Sequence, residues 1–410
     1  MKRFRSLLSA LLLSAVIAGC LSVSSYGIIK PLPPIYIEPG SGEPVIESDG
    51  FNFNIIEGEA TVIGIAGGSE AEIEIPSQVQ GYPVTAVKFQ AFFGDDTIES
   101  VKIPATVKVI GAGAFGSCRN LREVSFEENS ALKEIDESAF AYCQNLVSIV
   151  LPEGLEIIGN EVFCGCEKLE DIRIPGTVTE IGYDIFLNSG IENDKSKYED
   201  GALYIDGWLI SVIPETKGGF SVKDGIKNAE YNVFNGCDKI TEVSFPVSFS
   251  GEIPYLNCIE AIEKATVDKK NPAYVSEDGI LFNKDKTELI CYPANKPGDK
   301  YTIPDGVKFA YNGAFDNGKN LKTAVVPASA EYIDFYYCYS LKRIEYDGKC
   351  KDLDRVCRYA SLTDTLDARF TTRYCYRSSF LENLTFPLKS FIERLFIDLA
   401  SEFNPVPATE

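Results

Sequence analysis

A solenoid, in which short coils of about 23 residues stack on one another, is the fold this sequence predicts. Three periodic features predict it. A phenylalanine preceded by a small or β-branched residue recurs at Phe92, Phe115, Phe140, Phe163 and Phe186, at spacings of 23, 25, 23 and 23, and again at Phe234 and Phe315. A cysteine sits three residues after many of these positions, at Cys118, Cys143, Cys166 and Cys237, with Cys258 and Cys338 in the corresponding place of later coils. An apolar triplet follows, as in Leu121-Val124-Phe126, Leu146-Ile149-Leu151, Leu169-Ile172-Ile174 and Ile240-Val243-Phe245.

The chain opens with an address. Lys2, Arg3 and Arg5 precede an apolar run from Leu7 to Ala18, which is too short to span a bilayer and reads as a secretory signal over residues 1–19. The ending Ile17-Ala18-Gly19-Cys20 resembles the bacterial lipoprotein signal. That resemblance implies cleavage before Cys20, a lipid thioether on its sulfur and acylation of the new amino terminus, so that the exported body is held on a membrane. An ordinary signal peptide with a chance cysteine is the alternative. Residues 20–50 hold Pro31, Pro33, Pro34, Pro39 and Pro44 among Ser and Gly, the composition of a semi-rigid tether. Residues 51–83, with Phe51, Phe53, Ile55 and Ile73-Glu74-Ile75-Pro76, are expected to cap the first coil, whose core would otherwise be open.

Residues 84–350 form the solenoid. Each triplet supplies one short strand, and a proline such as Pro104, Pro152, Pro175, Pro246 or Pro327 ends it. An apolar pair with glycine comes next, as in Val107-Ile110-Gly111, Leu155-Ile158-Gly159 and Val178-Ile181-Gly182. Roughly ten coils would place equivalent strands about 4.8 Å apart in one curved parallel sheet. The unit Leu-x-x-Val-x-Ile-Pro, then Val-x-x-Ile-Gly-x-x-Ala-Phe-x-x-Cys, resembles the BspA-type leucine-rich repeat of bacterial surface proteins. The likeness extends over roughly residues 51–350. It implies a leucine-rich-repeat solenoid, and β-hairpin insertions are frequent in that family. Two stretches read as such hairpins: Asp200-Gly201-Ala202-Leu203-Tyr204 leading to Leu209–Pro214, and Asp278-Gly279-Ile280-Leu281-Phe282 leading to Leu289–Pro293. The unit near Phe335 is about three residues short and the coil around Cys258 carries one extra, so irregular curvature is expected there.

Residues 351–410 lose the period and read as a cap or divergent tail. Ser390-Phe391-Ile392-Glu393 is a capping box, and Phe391, Leu395, Leu399 and Phe403 make one apolar face of a helix over 390–403. That helix covers the last coil or docks a partner.

The cysteines Cys118, Cys143, Cys166, Cys237, Cys258 and Cys338 are read as a buried structural ladder, since free cysteine packs as a small hydrophobe. Stacked side chains about 4.8 Å apart are wider than the ~3.8 Å Cβ separation of a disulfide. Cys350 and Cys357 are near enough in sequence to bridge locally. Cys164-Gly165-Cys166 is too tight for an ordinary metal pair, and no metal or cofactor is expected.

Composition closes many functional classes. Asp plus Glu outnumber Lys plus Arg by 60 to 39, for a net charge of −21, which repels phosphates and argues against nucleic acid. The chain contains no histidine, so Ser-His-Asp and Cys-His catalysis and His-ligated zinc are excluded. The run Gly64-Ile65-Ala66-Gly67-Gly68-Ser69 lacks the Lys-Ser/Thr ending of a phosphate loop. No catalytic constellation stands out.

What remains is surface. Residues between the apolar triplet members face solvent, and Lys102, Arg122, Glu123, Glu170, Asp171, Arg173, Glu242, Lys342, Arg343 and Glu345 are the candidate binding face. A preformed repeat surface loses little ordering entropy on docking. The leading expectation is a non-enzymatic, membrane-anchored lipoprotein at the cell surface or outer membrane that binds a protein partner. The family resemblance implies adhesion to host matrix or plasma proteins or to other bacteria. The alternative is a cell-envelope protein that holds carbohydrate or scaffolds a complex, with Tyr332, Phe335, Tyr336, Tyr337 and Tyr339 as its aromatic candidates.

Overall fold

The computed structural model describes residues 45–311, 313–335, 337–346 and 356–357. They form a β-solenoid of about 12 turns at ~23 residues per turn, with parallel strands and almost no helix. The segment read as a signal, Cys20, most of the expected tether, Tyr336, Cys350 and the helix expected at 390–403 lie outside the described residues.

Each coil of the first stack has three sides, and each is bonded to the next coil in its own way. The first side is the triplet strand. Glu72–Glu74, Ser100–Ile103 and Glu123–Phe126 pair in parallel with Ile73, Val101 and Val124 in register. Ser148–Val150 pairs with Asp171–Arg173. Lys217–Ser221, Lys239–Phe245 and Lys264–Val267 form a further set, and Lys300–Thr302, Thr323–Val326 and Arg343–Tyr346 the last. Successive side chains alternate faces, so Val101 and Ile103 are buried while Lys102 faces solvent. The parallel triplet strands expected are present, but among the described residues they form four separate sheets rather than one.

The second side is a ladder of two-residue strands at the apolar pairs. Val87, Ile110, Ile135, Ile158 and Ile181 align in parallel register down the stack. The ladder grows from an antiparallel start, Ile46–Ser48, Phe51–Ile56 and Glu59–Ile65, whose last strand pairs in parallel with Tyr82–Val87. Glycine follows the pair because the coils close tightly here. A Cβ on Gly159 would lie 2.6 Å from Glu137 N, and one on Gly182 would lie 2.4 Å from Asn160 N.

The third side carries the phenylalanines. Residues two before and two after each Phe have left-handed backbone: Gln90 and Gly94, Gly113 and Ser117, Ser138 and Tyr142, Glu161 and Gly165, Asp184 and Asn188. This alternation turns every second N–H toward the next coil. Gln90, Phe92 and Gly94 donate to Ala112, Ala114 and Gly116 O, and the pattern repeats through Glu161, Phe163 and Gly165 to Tyr183, Ile185 and Leu187 O. These bonds offset the ~1–2 kcal/mol that left-handed backbone costs a non-glycine residue. They also hold the rings in a column, with Phe92, Phe115, Phe140, Phe163 and Phe186 stacked at 4.9 to 5.9 Å.

The insertions differ from two strands around one turn. Tyr198–Glu199, Ala202–Ile205 and Trp208–Val212 make a three-stranded meander, and so do Tyr274–Glu277, Ile280–Asn283 and Leu289–Cys291. The pairs Asp200-Gly201 and Asp278-Gly279 are themselves the turns, with both φ values positive at 48° and 84° and at 48° and 75°. That is the geometry of the tight hairpin turns whose twist matches the flanking strands. Each meander is a wall between two cores. Leu203, Trp208 and Ile210 face the first core while Ala202, Leu209 and Val212 face the second. Leu281 and Cys291 face the second while Ile280, Phe282 and Leu289 face the third. The walls also template the coils that follow, since Trp208–Val212 pairs in parallel with Asn228–Ala229 and Glu288 bridges to Phe309.

Candidate binding surface

The ten residues expected to form one face are distributed over sections of the triplet ladder. Lys102, Arg122, Glu123, Glu170, Asp171 and Arg173 lie before the first wall and are exposed. Glu242, half-buried, lies between the walls, and Lys342, Arg343 and half-buried Glu345 lie beyond the second. The structure brings them together in panels, because the meanders occupy the places of whole coils.

Within a panel, charges meet across coils. Lys102 Nζ lies 2.5 Å from Glu74 and 3.3 Å from Glu127, and Arg122 lies 3.6 Å from Glu99. Glu345 accepts from Lys300 at 2.9 Å and from Arg343 at 3.1 Å. The Glu74 and Glu127 carboxylates raise the Lys102 ammonium, and Lys300 lowers Glu345. Water screens exposed pairs of this kind, so they orient side chains more than they stabilise the fold. The pairing stops at Glu170, Asp171 and Arg173, none of which has an ion pair among the described residues. Their in-register neighbours on the preceding coil are Ser148, opposite Asp171, and Val150, opposite Arg173. Val150 is an apolar side chain 77% exposed in the middle of a charged panel.

The ladder cysteines point inward. Cys118, Cys143, Cys166, Cys237 and Cys338 are buried and Cys258 is half-buried. The Sγ–H of Cys118 donates to Phe92 O at 3.1 Å, that of Cys143 to Phe115 O at 3.2 Å and that of Cys166 to Phe140 O at 3.2 Å, each one coil back. Cys258 donates within its own coil, to Tyr255 O at 2.9 Å. Burial pushes the thiols of Cys118, Cys166, Cys258 and Cys338 up to about 12 and that of Cys237 to about 11. Thiols held this far from ionisation are poor nucleophiles and poor metal ligands. Cys291, outside the periodic set, is also buried, against Asn257 Oδ1 at 3.6 Å.

Of the aromatic candidates, Phe335 is in the core, Tyr332 is half-buried, and Tyr337 and Tyr339 are exposed with ring centres 5.9 Å apart. A shallow groove of about 300 Å³ lies over Val222, Phe245, Pro246, Val267 and Asp268, at the end of the middle panel.

Two features escaped the reading of the sequence. A hydroxyl after the strand-ending proline clamps adjacent coils: Thr177 accepts from Gly154 N at 3.1 Å and donates to Leu155 O at 2.8 Å. Ser248 does the same with Gly225 N and Ile226 O, and Ser329 with Gly306 N and Val307 O. The motif Pro-x-Ser/Thr, at Pro175, Pro246 and Pro327, was there to be read. Glu230 gave no such signal. It is 5% exposed and accepts the Asp184 N–H, which has no next coil to bond because the first meander intervenes. Asn188 N donates to Glu192 at 2.9 Å for the same reason.

The repeat geometry has a counterpart among known families. Six copies of the BspA type leucine rich repeat match residues 72–198 and 294–363. Residues 72–198 and 294–363 are built of BspA-type leucine-rich repeats. The matched ranges leave out 199–293, the region that holds most of the first meander and the second. In BspA-type units of this chain, Leu-x-x-Val-x-Ile is the triplet strand and Ala-Phe-x-x-Cys the left-handed turn with its ring column. No curated protein matches the chain. Among solved structures it is similar to the pneumococcal vaccine antigen PcpA, at 22% identity over 74% of this chain and 70% of that one, with a TM-score of 0.33. A leucine rich cell surface protein of Faecalibacterium prausnitzii is 22% identical over 78% and 99%, with a TM-score of 0.34. The leucine rich repeat protein of T. pallidum is 25% identical over 49% and 85%, with a TM-score of 0.35.

Proposed function

We propose that this chain is a non-enzymatic binding protein displayed at the cell surface. In this reading a lipid on Cys20 anchors it and residues 20–50 tether the folded body. It adheres to a protein partner through the panel before the first wall. One observation carries the proposal: Glu170, Asp171 and Arg173 are exposed, lie beside the exposed Val150, and have no ion pair among the described residues. Charges already pulled into pairs are partly neutralised, whereas these remain open to a partner, and an apolar side chain among them provides area to desolvate. The BspA-type repeats support the reading, since this repeat family is one of surface proteins.

The test is surface plasmon resonance of the immobilised protein against a panel of purified host matrix and plasma proteins. A partner found there should bind at least about tenfold more weakly to Val150→Ser combined with Arg173→Glu. Equal binding by that variant, with loss from substitutions in the Lys342 panel, would move the site beyond the second wall. No binding to any panel member, together with protection of the chain from protease on intact cells, would replace adhesion with an envelope role.

A further inference from the structure

We propose that the side of the coils beyond the second wall holds a second docking site, an aromatic and acidic strip that accepts a lysine- or arginine-rich segment of a partner protein. The strip lies on the ladder of two-residue strands, away from the triplet panels. Glu288 bridges Phe309, and Phe309 aligns with Tyr332 in parallel register, so the three side chains share one face. The alternate positions Ala310 and Ile333 are buried, which fixes that face as the outer one.

Tyr311 extends the strip. Its ring stacks on Phe309 at 5.4 Å and 7° and lies 5.6 Å from Tyr332, with 39% of the residue exposed. The aligned outer positions of the first stack, Val109, Glu134, Ile157 and Glu180, carry no aromatic ring, so the strip is a local feature rather than a property of the repeat.

Carboxylates border the rings. Glu288 is half-buried, and among the described residues no cation pairs with it; burial and the Glu252 charge raise its carboxyl. Burial raises the Tyr311 hydroxyl, and the charges of Glu288 and Glu331 add to the rise. Lys308, the cation at the rim, is engaged with Glu331 at 3.2 Å. A ring face beside an uncompensated carboxylate suits a guanidinium or ammonium group, which the ring quadrupole and the carboxylate both attract. A neutral sugar would stack on the rings and leave Glu288 and Glu252 repelling one another. The net charge of −21 draws a basic segment toward the chain before contact.

The experiment is fluorescence anisotropy with the full chain and a fluorescein-labelled oligo-arginine peptide, alongside a labelled neutral gluco-oligosaccharide. Binding of the peptide, weakened about tenfold by Tyr311→Ala and by Glu288→Gln and retained in Tyr311→Phe, is the expected result. The charge-matched Glu153→Gln, on an exposed turn of the first stack, should leave the affinity unchanged. Equal weakening by Glu153→Gln and Glu288→Gln would mean diffuse attraction to an acidic chain and would overturn the site. Oligosaccharide binding that depends on Tyr311 would overturn the choice of occupant. Because the substitutions at Tyr311 and Glu288 do not touch the Val150 panel, the outcome is independent of where adhesion maps.

Discussion

Cys143 donates its Sγ–H to the carbonyl of Phe115 one coil back, at 3.2 Å, and the same carbonyl accepts the N–H of Cys118 at 3.2 Å. The thiol thus fills the second lone pair of an oxygen that has no access to water. Serine at this position would keep the bond but carry a more polar group into the core. Alanine would keep the apolar character but lose the bond and the sulfur volume.

Cys143→Ala should lower stability by about 1–2 kcal/mol. Chemical denaturation followed by circular dichroism measures it. In the wild type, the buried thiols should stay unreactive toward a disulfide reagent until the chain unfolds, because each is protonated and enclosed.

Glu230 predicts a pH effect. Burial is the largest influence, the Asp184 and Glu192 charges add to it, and together they raise the carboxyl from its ordinary 4.5 to about 8 against the lowering by the Asp184 N–H. The folded state therefore holds this proton more tightly than the unfolded one. The stabilisation is complete below about pH 4.5 and is lost as the pH rises through about 8. The thermal midpoint should fall across that window, and Glu230→Gln should flatten the fall while preserving an acceptor for Asp184 N–H. A variant with the wild-type slope would assign the effect elsewhere, for instance to Asp184, whose carboxyl burial also raises.

Gly182→Ala should destabilise by about 2–3 kcal/mol, since its methyl would meet Asn160 N and Oδ1 at 2.4 Å and the backbone there is held to the preceding coil, Gly182 N by Ile158 O and Asn160 O by Ser138 N. By contrast, Gly154→Ala meets no neighbour within 4 Å, and its smaller loss reports only the φ of 98°. Comparing the two urea midpoints separates crowding from backbone strain.

Ser248→Ala removes a donor and an acceptor at once, leaving Gly225 N and Ile226 O without their cross-coil partner. A loss of about 1–2 kcal/mol is expected, with Ser248→Thr close to wild type. Hydrogen exchange at the Gly225 amide is the direct measurement.

Much of this fold was readable because each coil repeats its burial. Phe140 and Cys143 could be assigned to the core from spacing alone, and Arg173 to the outside from its place between triplet residues. The walls were harder. Asp200-Gly201 read as the start of a strand because only the paired positive φ values reveal a turn, and no local pattern shows that Leu209 and Ile210 face different cores. Glu230 was beyond reach for another reason. Its partner is 46 residues away, and its burial depends on a ladder ending where the first meander begins. Arg122 and Asp171 are exposed, as their places between triplet residues implied, whereas Glu242 and Glu345 are half-buried, and the division of these residues into panels depends on which coils the meanders replace.

The two walls have a mechanical consequence. At each meander, alternate side chains pack into the apolar cores on either side, so tension along the backbone should release the cores in succession. The chain would then lengthen in steps, each beginning where a wall's alternating side chains are drawn out of two cores at once.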